Sequence, residues 1–322
     1  MSYCVTELSR RASQLVRQGI RPGTQRSYTS AQSRYIDFCQ RYHITPLPLH
    51  PTTTLWYVTY LYDQGLSHAS INVYISALRS LHIMQGLPEP AVRTPQVQLA
   101  LRAIKARSQP SQQKAPLTFH QLHTLLQHLE GDPERELWVA VFSLAFFAGL
   151  RGAEYTLNGL QNFRPQVNWL KFSTLAGEPV VTYSVPISKT RAHGFAVPLG
   201  CSKQTLCAYC ALVSYMNIRH HQGTLSSTAP LFLSHTGANV TKPQTDSKLK
   251  QLCNKAGLDS SHYTTHSIRA GAATTAAELG FSDWEIMKLG GWSSSAYRAY
   301  IRQLDSHIVN FSARLASSAT AS

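Results

Sequence analysis

The sequence predicts a mainly α-helical chain with one small antiparallel sheet, divided into a helical N-terminal domain and a larger α+β domain. Three observations carry this. Through the first third, apolar residues recur at spacings of three and four, as they do on one face of a helix. A fourteen-residue apolar run, Leu137 to Leu150, reads as a buried helix, since it falls short of the roughly 18–20 residues that cross a bilayer. A single stretch, residues 168–200, alternates apolar and polar residues between Gly and Pro turns, the pattern of strands.

Taken in order, the opening MSYCVTELSRRASQ has no apolar signal-peptide core, and about residues 1–20 are expected to be flexible. From Ser27, Tyr28, Ala31, Tyr35, Phe38 and Tyr42 form one helical stripe. A second helix is expected from Thr52, capped by that threonine and closed by Gly65. A third follows Ser67–Ser70, with Ile71, Tyr74, Ile75, Leu78 and Leu81 along one face, and a fourth covers Val97 to Arg107. These helices make the first domain, residues 1–107. The next segment, SQPSQQKAP, has two prolines and no apolar periodicity, and residues 108–115 are read as a linker.

The second domain, residues 116–322, begins with helical patterns at 117–131 and 134–150. The alternating stretch follows, with a hairpin expected around VPISKTRAHGFAVP. Helices return at 205–221, 242–257, 265–280 and 281–291. Ser282 and Glu285 have the capping-box spacing, and Gly290 and Gly291 end that helix. One of Ser293 to Ser295 is expected to cap a further helix bearing Tyr297 and Tyr300, and Ile308, Phe311 and Leu315 mark a terminal one.

Charge narrows the class of partner. The chain carries 30 Lys and Arg against 16 Asp and Glu, a formal net charge of +14. Up to Lys114 there are 13 basic residues and four acidic ones, so the surplus is concentrated N-terminally. A basic surface serves a polyanion, because neutralised phosphates release counterions and supply affinity. Nucleic acid is therefore the first partner expected. Six scattered cysteines without a signal peptide point to an intracellular protein with reduced thiols.

Four short motifs carry potential chemistry. In FAGLRGAEYTL, Arg151 ends the apolar run, a costly place for a cation unless it meets an anion, and Glu154 stands one turn on to orient it. Lys189 sits in the hairpin, flanked by Ser188 and Thr190. His266 and Arg269 lie one turn apart near a helix start that Thr264 or Thr265 can cap, which suits them to a phosphate. Ala270, Gly271, Ala272 and Ala273 behind them allow another backbone to approach closely. In LGGWSSSAYRAYIRQ, Trp292 precedes the two tyrosines. Cys207 and Cys210 form a C-x-x-C, but with no second pair at matching distance they are read as buried thiols and not as a metal site.

The order of these motifs, from GLRGAE through SKT and HSIRAG to LGGW and a tyrosine, resembles the tyrosine recombinase family of DNA integrases. The resemblance covers Leu117 to about Gln303; the basic, helical first third is similar in pattern to the family's core-binding domain. It implies the DNA breaking-rejoining fold and a catalytic set of Arg151, Lys189, His266, Arg269, Trp292 and a tyrosine, with Glu154 in support. Tyr300, eight residues after Trp292 and reading AYIR, fits the family nucleophile better than Tyr297, five after it, although it stands one residue short of the best-known bacterial spacing. Tyr297 is then a packing or DNA-facing aromatic. The ending is most similar to eukaryotic mobile-element recombinases of the DIRS and Crypton kind, which would place the protein in a nucleus.

By this resemblance the reaction is a transesterification through a 3′-phosphotyrosine, without cofactor, metal or ATP, performed by a homo-oligomer, a tetramer on double-stranded DNA. The terminal helix would dock on a neighbouring protomer or fold back on its own. Two other readings share the residues: a recombinase-derived DNA binder that no longer cuts, and a nicking-closing enzyme of the topoisomerase IB sort.

Overall fold

Proline sets the start of three N-terminal helices: Pro22, Pro51 and Pro95 each stand in a first turn, where the missing N–H leaves no bond unmade and the fixed φ suits a helix. The computed structural model describes residues 4–108, 114–157, 164–188, 193–292, 295–299 and 301. The chain divides into two units, Met1–Gln112 and Gln113–Ser322.

The first unit holds α1 (Val5–Gln18), α2 (Pro22–Arg41), α3 (Pro51–Asp63), α4 (His68–Met84) and α5 (Pro95–Arg107). Residues 5–18, expected to be flexible, are helical; none of them is buried, and Glu7 pairs with Arg10 one turn on at 2.7 Å. Helix α2 starts five residues before the expected Ser27. Ala31, Tyr35 and Phe38 of its stripe are buried, Tyr28 is half-buried, and Tyr42 lies outside the helix and exposed. The cap of α3 is His50, whose Nδ1 accepts from Thr52 N–H at 3.3 Å, so the expected Thr52 cap is corrected: with Pro51 at the first helical position, the cap falls one residue earlier. Ser67 caps α4 and Thr94 caps α5 through side-chain oxygens. Their apolar faces enclose Tyr35, Phe38, Tyr57, Ile71, Ile75 and Leu101, with the Tyr35 and Tyr57 rings edge to face at 5.1 Å.

The second unit is built round α7 (Arg135–Phe147), whose residues from Leu137 to Phe146 are nearly all buried. Before it lies α6 (Phe119–Gln127), started by a Thr118–Gln121 capping box; after it comes the single turn α8 (Gly152–Tyr155). The sheet is antiparallel in the order β1 (Leu170–Leu175), β2 (Glu178–Val185), β3 (Phe195–Gly200). Phe172 pairs with Val181, and Val181 with Leu199. Val181, Tyr183 and Val185 face the core together with Val197 and Leu199, whereas β1 is an edge strand with only Leu170 buried. Four further α-helices follow among the described residues: α9 (Ala208–His221), α10 (Lys242–Lys255), α11 (Thr265–Glu278) and α12 (Asp283–Leu289).

Helix α11 is the most enclosed of these, and its small residues have the expected use. Leu117 N–H donates to Ser267 O at 2.9 Å, and its carbonyl lies so close to Gly271 that an added Cβ would come within 1.7 Å of the oxygen. In place of the α-helix expected after Trp292, Ser295–Ala299 form a 3-10 helix. The expected terminal helix, with Ile308, Phe311 and Leu315, lies outside the described residues. Among the described residues no helix is long and apolar enough to cross a membrane.

Candidate active site

Four segments from different parts of the second unit meet beside α11. The guanidinium of Arg269, fully buried, donates through Nη1 to the carbonyls of Gly149 and Gly290, the latter at 3.0 Å, and its Cζ lies 3.9 Å from the Trp292 ring centre. One side chain thus joins the segment before Arg151, its own helix and the LGGW turn. The turn requires glycine: a Cβ on Gly290 would strike the Trp292 ring at 2.0 Å. The hairpin root reaches the same turn, since a Cβ on Gly291 would fall 3.0 Å from the Phe195 ring.

Arg151 is held at the start of α8. Its N–H and its Nη1 donate to the two oxygens of Glu154, at 2.8 and 2.9 Å. Glu154 is 3% exposed, and Arg151 is partly open to solvent, so a buried carboxylate orients a cation that keeps access to the surface. Behind the pair, Tyr183 donates to Glu154 O at 2.7 Å. Burial raises the phenols of both Tyr155 and Tyr183, so these two are structural hydroxyls.

The HSIRAG segment splits between surface and interior. Thr264 caps α11 by accepting from His266 N–H at 3.3 Å, and His266 is exposed at that end. Arg269, one turn on, has rotated far enough round the helix to be sealed from solvent. The pair expected to stand together on a polar first turn is therefore divided, with His266 outside and Arg269 inside.

Trp292 and Tyr297 are 3% and 1% exposed, with their rings 6.1 Å apart in an edge arrangement. They pack with Ala273, Ala276 and Ile286, and Ile301 lies against the same cluster. The Tyr297 hydroxyl and the Arg298 guanidinium, which donates to Asp283 at 2.5 Å, hold the Asp283 carboxyl below the usual range. Lys189 lies outside the described residues, in the connection between Val185 and Phe195, whose register pair closes the hairpin. Ser188, immediately before it, is buried. Tyr300 also lies outside the described residues.

The structure adds a group that sequence reasoning missed. A Cβ on Gly152 would fall 3.2 Å from Thr265 Oγ1 and 3.5 Å from the Lys242 side chain, so Lys242 stands beside the Arg151 turn and the start of α11. Its ammonium pairs with Asp246, which also accepts from Thr265 N–H at 2.7 Å. A signal existed: Thr241 and Gln244 form a capping box that puts Lys242 in the first turn of α10, where the helix dipole disfavours a cation. The reading of Cys207 and Cys210 as buried thiols is corrected in part, since Cys210 is exposed and Cys201 joins them.

Residues 115–307 match the phage integrase family, and the chain belongs to that family, the tyrosine recombinases. A relative from Selenomonas ruminantium, an integrase/recombinase xerD homolog, is 23% identical over 290 residues, 87% of this chain and 81% of that protein. Among solved structures, XerH site-specific recombinase bound to palindromic difH substrate is 17% identical with a TM-score of 0.58, covering 82% of this chain and 69% of that one. A lambda integrase dimer bound to a COC′ core site is 18% identical with a TM-score of 0.57, covering 94% and 78%. The Tn1549 transposon integrase in complex with transposon right end DNA is 16% identical with a TM-score of 0.58, covering 94% and 99%. The helices and small sheet described above are the fold these proteins share.

Proposed function

We propose that this recombinase is a site-specific DNA strand transferase acting through a 3′-phosphotyrosine, with Tyr300 as nucleophile, in the integration or excision of a mobile element. The observation that carries the reading is the meeting of the Arg151, Arg269 and Trp292 segments at one place, with the Phe195 root of the hairpin against Gly291 and with Arg151 oriented by Glu154 and partly open to solvent.

A phenol, with an ordinary pKa of about 10, attacks a phosphodiester only when the phosphate charge is neutralised and its own proton has somewhere to go. Arg151 makes the first contact with the non-bridging oxygens, as a guanidinium aligned by Glu154. Arg269 holds the Gly149 and Gly290 backbones from below and reaches the phosphate once the Gly290–Trp292 turn shifts. His266, exposed at the helix start, assists proton movement or hydrogen-bonds the phosphate. Lys189 protonates the leaving 5′ oxygen. The O–P bond to Tyr300 forms as the bond to the 5′ oxygen breaks, and a 5′ hydroxyl from a second strand reverses the exchange. Two strand exchanges in sequence would pass through a Holliday junction, in a tetramer of the chain on duplex DNA.

Burial and the Asp283 contact favour Tyr297 as a packing residue, which leaves Tyr300 to react. The test is a nicked suicide DNA substrate incubated with wild type, Tyr300→Phe and Tyr297→Phe, with covalent adducts resolved on a denaturing gel. Loss of adduct in Tyr300→Phe alone supports the reading, and loss in Tyr297→Phe alone reverses the assignment. Absence of adduct on DNA that the wild type binds identifies a non-cutting DNA binder. Relaxation of a supercoiled plasmid lacking target sites identifies a topoisomerase-like enzyme.

A further inference from the structure

Three thiols that stand apart in the sequence share one point of the second unit. Cys201 follows the last residue of β3, Cys207 is the N-cap of α9, and Cys210 lies in that helix's first turn. Their sulfurs all lie within 4.8 Å of one another, and Cys201 Sγ is 3.5 Å from Cys210 Sγ. A tetrahedral zinc with Zn–S bonds of about 2.3 Å sets its sulfurs roughly 3.7–3.8 Å apart. The trio therefore stands near the spacing of a metal-thiolate site.

The loop between Cys201 and Cys207 is built to hold that arrangement. Cys201 N–H donates to Pro179 O at 2.9 Å, which pins the loop to the start of β2, and Leu206 is buried beneath it. Ser202 N–H donates to Cys207 Sγ at 3.3 Å, a contact that favours the thiolate a metal requires. Cys207 is buried, Cys201 half-buried and Cys210 exposed, so the cluster is closed on one side and reachable from the other. Among the described residues no imidazole or carboxylate joins the group, and an all-sulfur donor set selects a soft or borderline cation.

We propose that Cys201, Cys207 and Cys210 bind one zinc ion, with the fourth position open to a solvent ligand, and that the ion fastens the end of β3 to the start of α9. Each thiol releases its proton to solvent as its sulfur binds. The site is separate from the proposed chemistry. It braces the strand that returns from the hairpin.

The full-length chain, reduced and stripped of metal, is titrated with Co²⁺ as a spectroscopic substitute for zinc. The expected result is the visible ligand-field and sulfur-to-cobalt charge-transfer absorption of a tetrahedral thiolate site, saturating at one ion per chain and abolished by Zn²⁺. Cys201→Ser, Cys207→Ser and Cys210→Ser should each lose this spectrum, whereas Cys39→Ser and Cys253→Ser, which remove buried thiols elsewhere, should keep it. Because a serine variant can fail to fold, the wild type is also alkylated with and without Zn²⁺ and mapped by mass spectrometry. Zinc should protect the three cysteines and leave exposed Cys4 reactive. Absence of stoichiometric binding, survival of the spectrum in Cys201→Ser, or alkylation that zinc leaves unchanged while Cys201 and Cys210 form a disulfide would each overturn the proposal.

Discussion

The Arg269 guanidinium is stacked 3.9 Å from the centre of the Trp292 ring, with both residues closed to solvent. A desolvated stack of this kind contributes about 2 kcal/mol or more beyond the area it covers. Trp292→Phe keeps an aromatic face of smaller area and should lose roughly 1–2 kcal/mol, whereas Trp292→Ala should lose about 3–5 kcal/mol. Urea unfolding of the two variants beside wild type checks the order.

Arg269→Lys keeps the charge but shortens the side chain whose Nη1 donates to both Gly149 and Gly290, and it loses the guanidinium plane stacked on Trp292. Each buried carbonyl left short of a donor costs about 1–3 kcal/mol, so stability should fall by a few kcal/mol. DNA binding should hold while adduct formation on the suicide substrate falls steeply. Parallel losses of binding and cleavage would instead report unfolding.

Gly271→Ala sets a methyl group against the Leu117 carbonyl, in backbone on both sides that has little room to yield. Overpacking of this kind should destabilise the second unit by about 1–3 kcal/mol or more. The urea midpoint should drop with an unchanged m value.

Tyr297→Phe removes a hydroxyl and leaves a ring. It should reduce stability by about 0.5–1.5 kcal/mol and, on the proposed assignment, leave adduct formation intact. Tyr297→Ala empties part of the cluster around Trp292 and should lose about 3–5 kcal/mol, read by thermal unfolding.

Acid should weaken the second unit at a known place. Burial raises the Asp132 carboxyl, but the Lys248 ammonium and the Glu134 amide more than offset it, and the group sits below its ordinary value of about 3.9. The native pKa is depressed, so the stabilisation is present above the unfolded value and is lost as pH falls through the folded one. Asp132→Asn should make the decline in unfolding free energy below about pH 5 shallower than in wild type. An equal slope in both proteins would rule the pair out as its source.

Local rules account for most of the elements and for the family. The capping boxes at Thr118, Thr241 and Ser282, the prolines in first turns, the stripe through Ala31, Tyr35 and Phe38 and the alternation through β2 are each set by neighbours within a few residues. The family's motifs are short for the same reason, and GLRGAE, SKT, HSIRAG and LGGW could be read in order without coordinates. In α1, Val5, Leu8, Leu15 and Val16 recur at helical spacing, a signal that sequence reading passed over, yet all four are exposed; the pattern after Trp292 does not tell a 3-10 helix from an α-helix.

Tertiary structure decided which polar residue faces inward. His266 and Arg269 look alike from their spacing, yet one is exposed and the other sealed, because the Gly149 and Gly290 carbonyls and the Trp292 ring come to Arg269 from segments 120 and 21 residues away. Lys242 reached the Arg151 turn, and Cys201 reached Cys207 and Cys210, by the same kind of long-range placement. Helix and strand signals report only the residues next in line, and burial depends on what the packed chain brings to the other side.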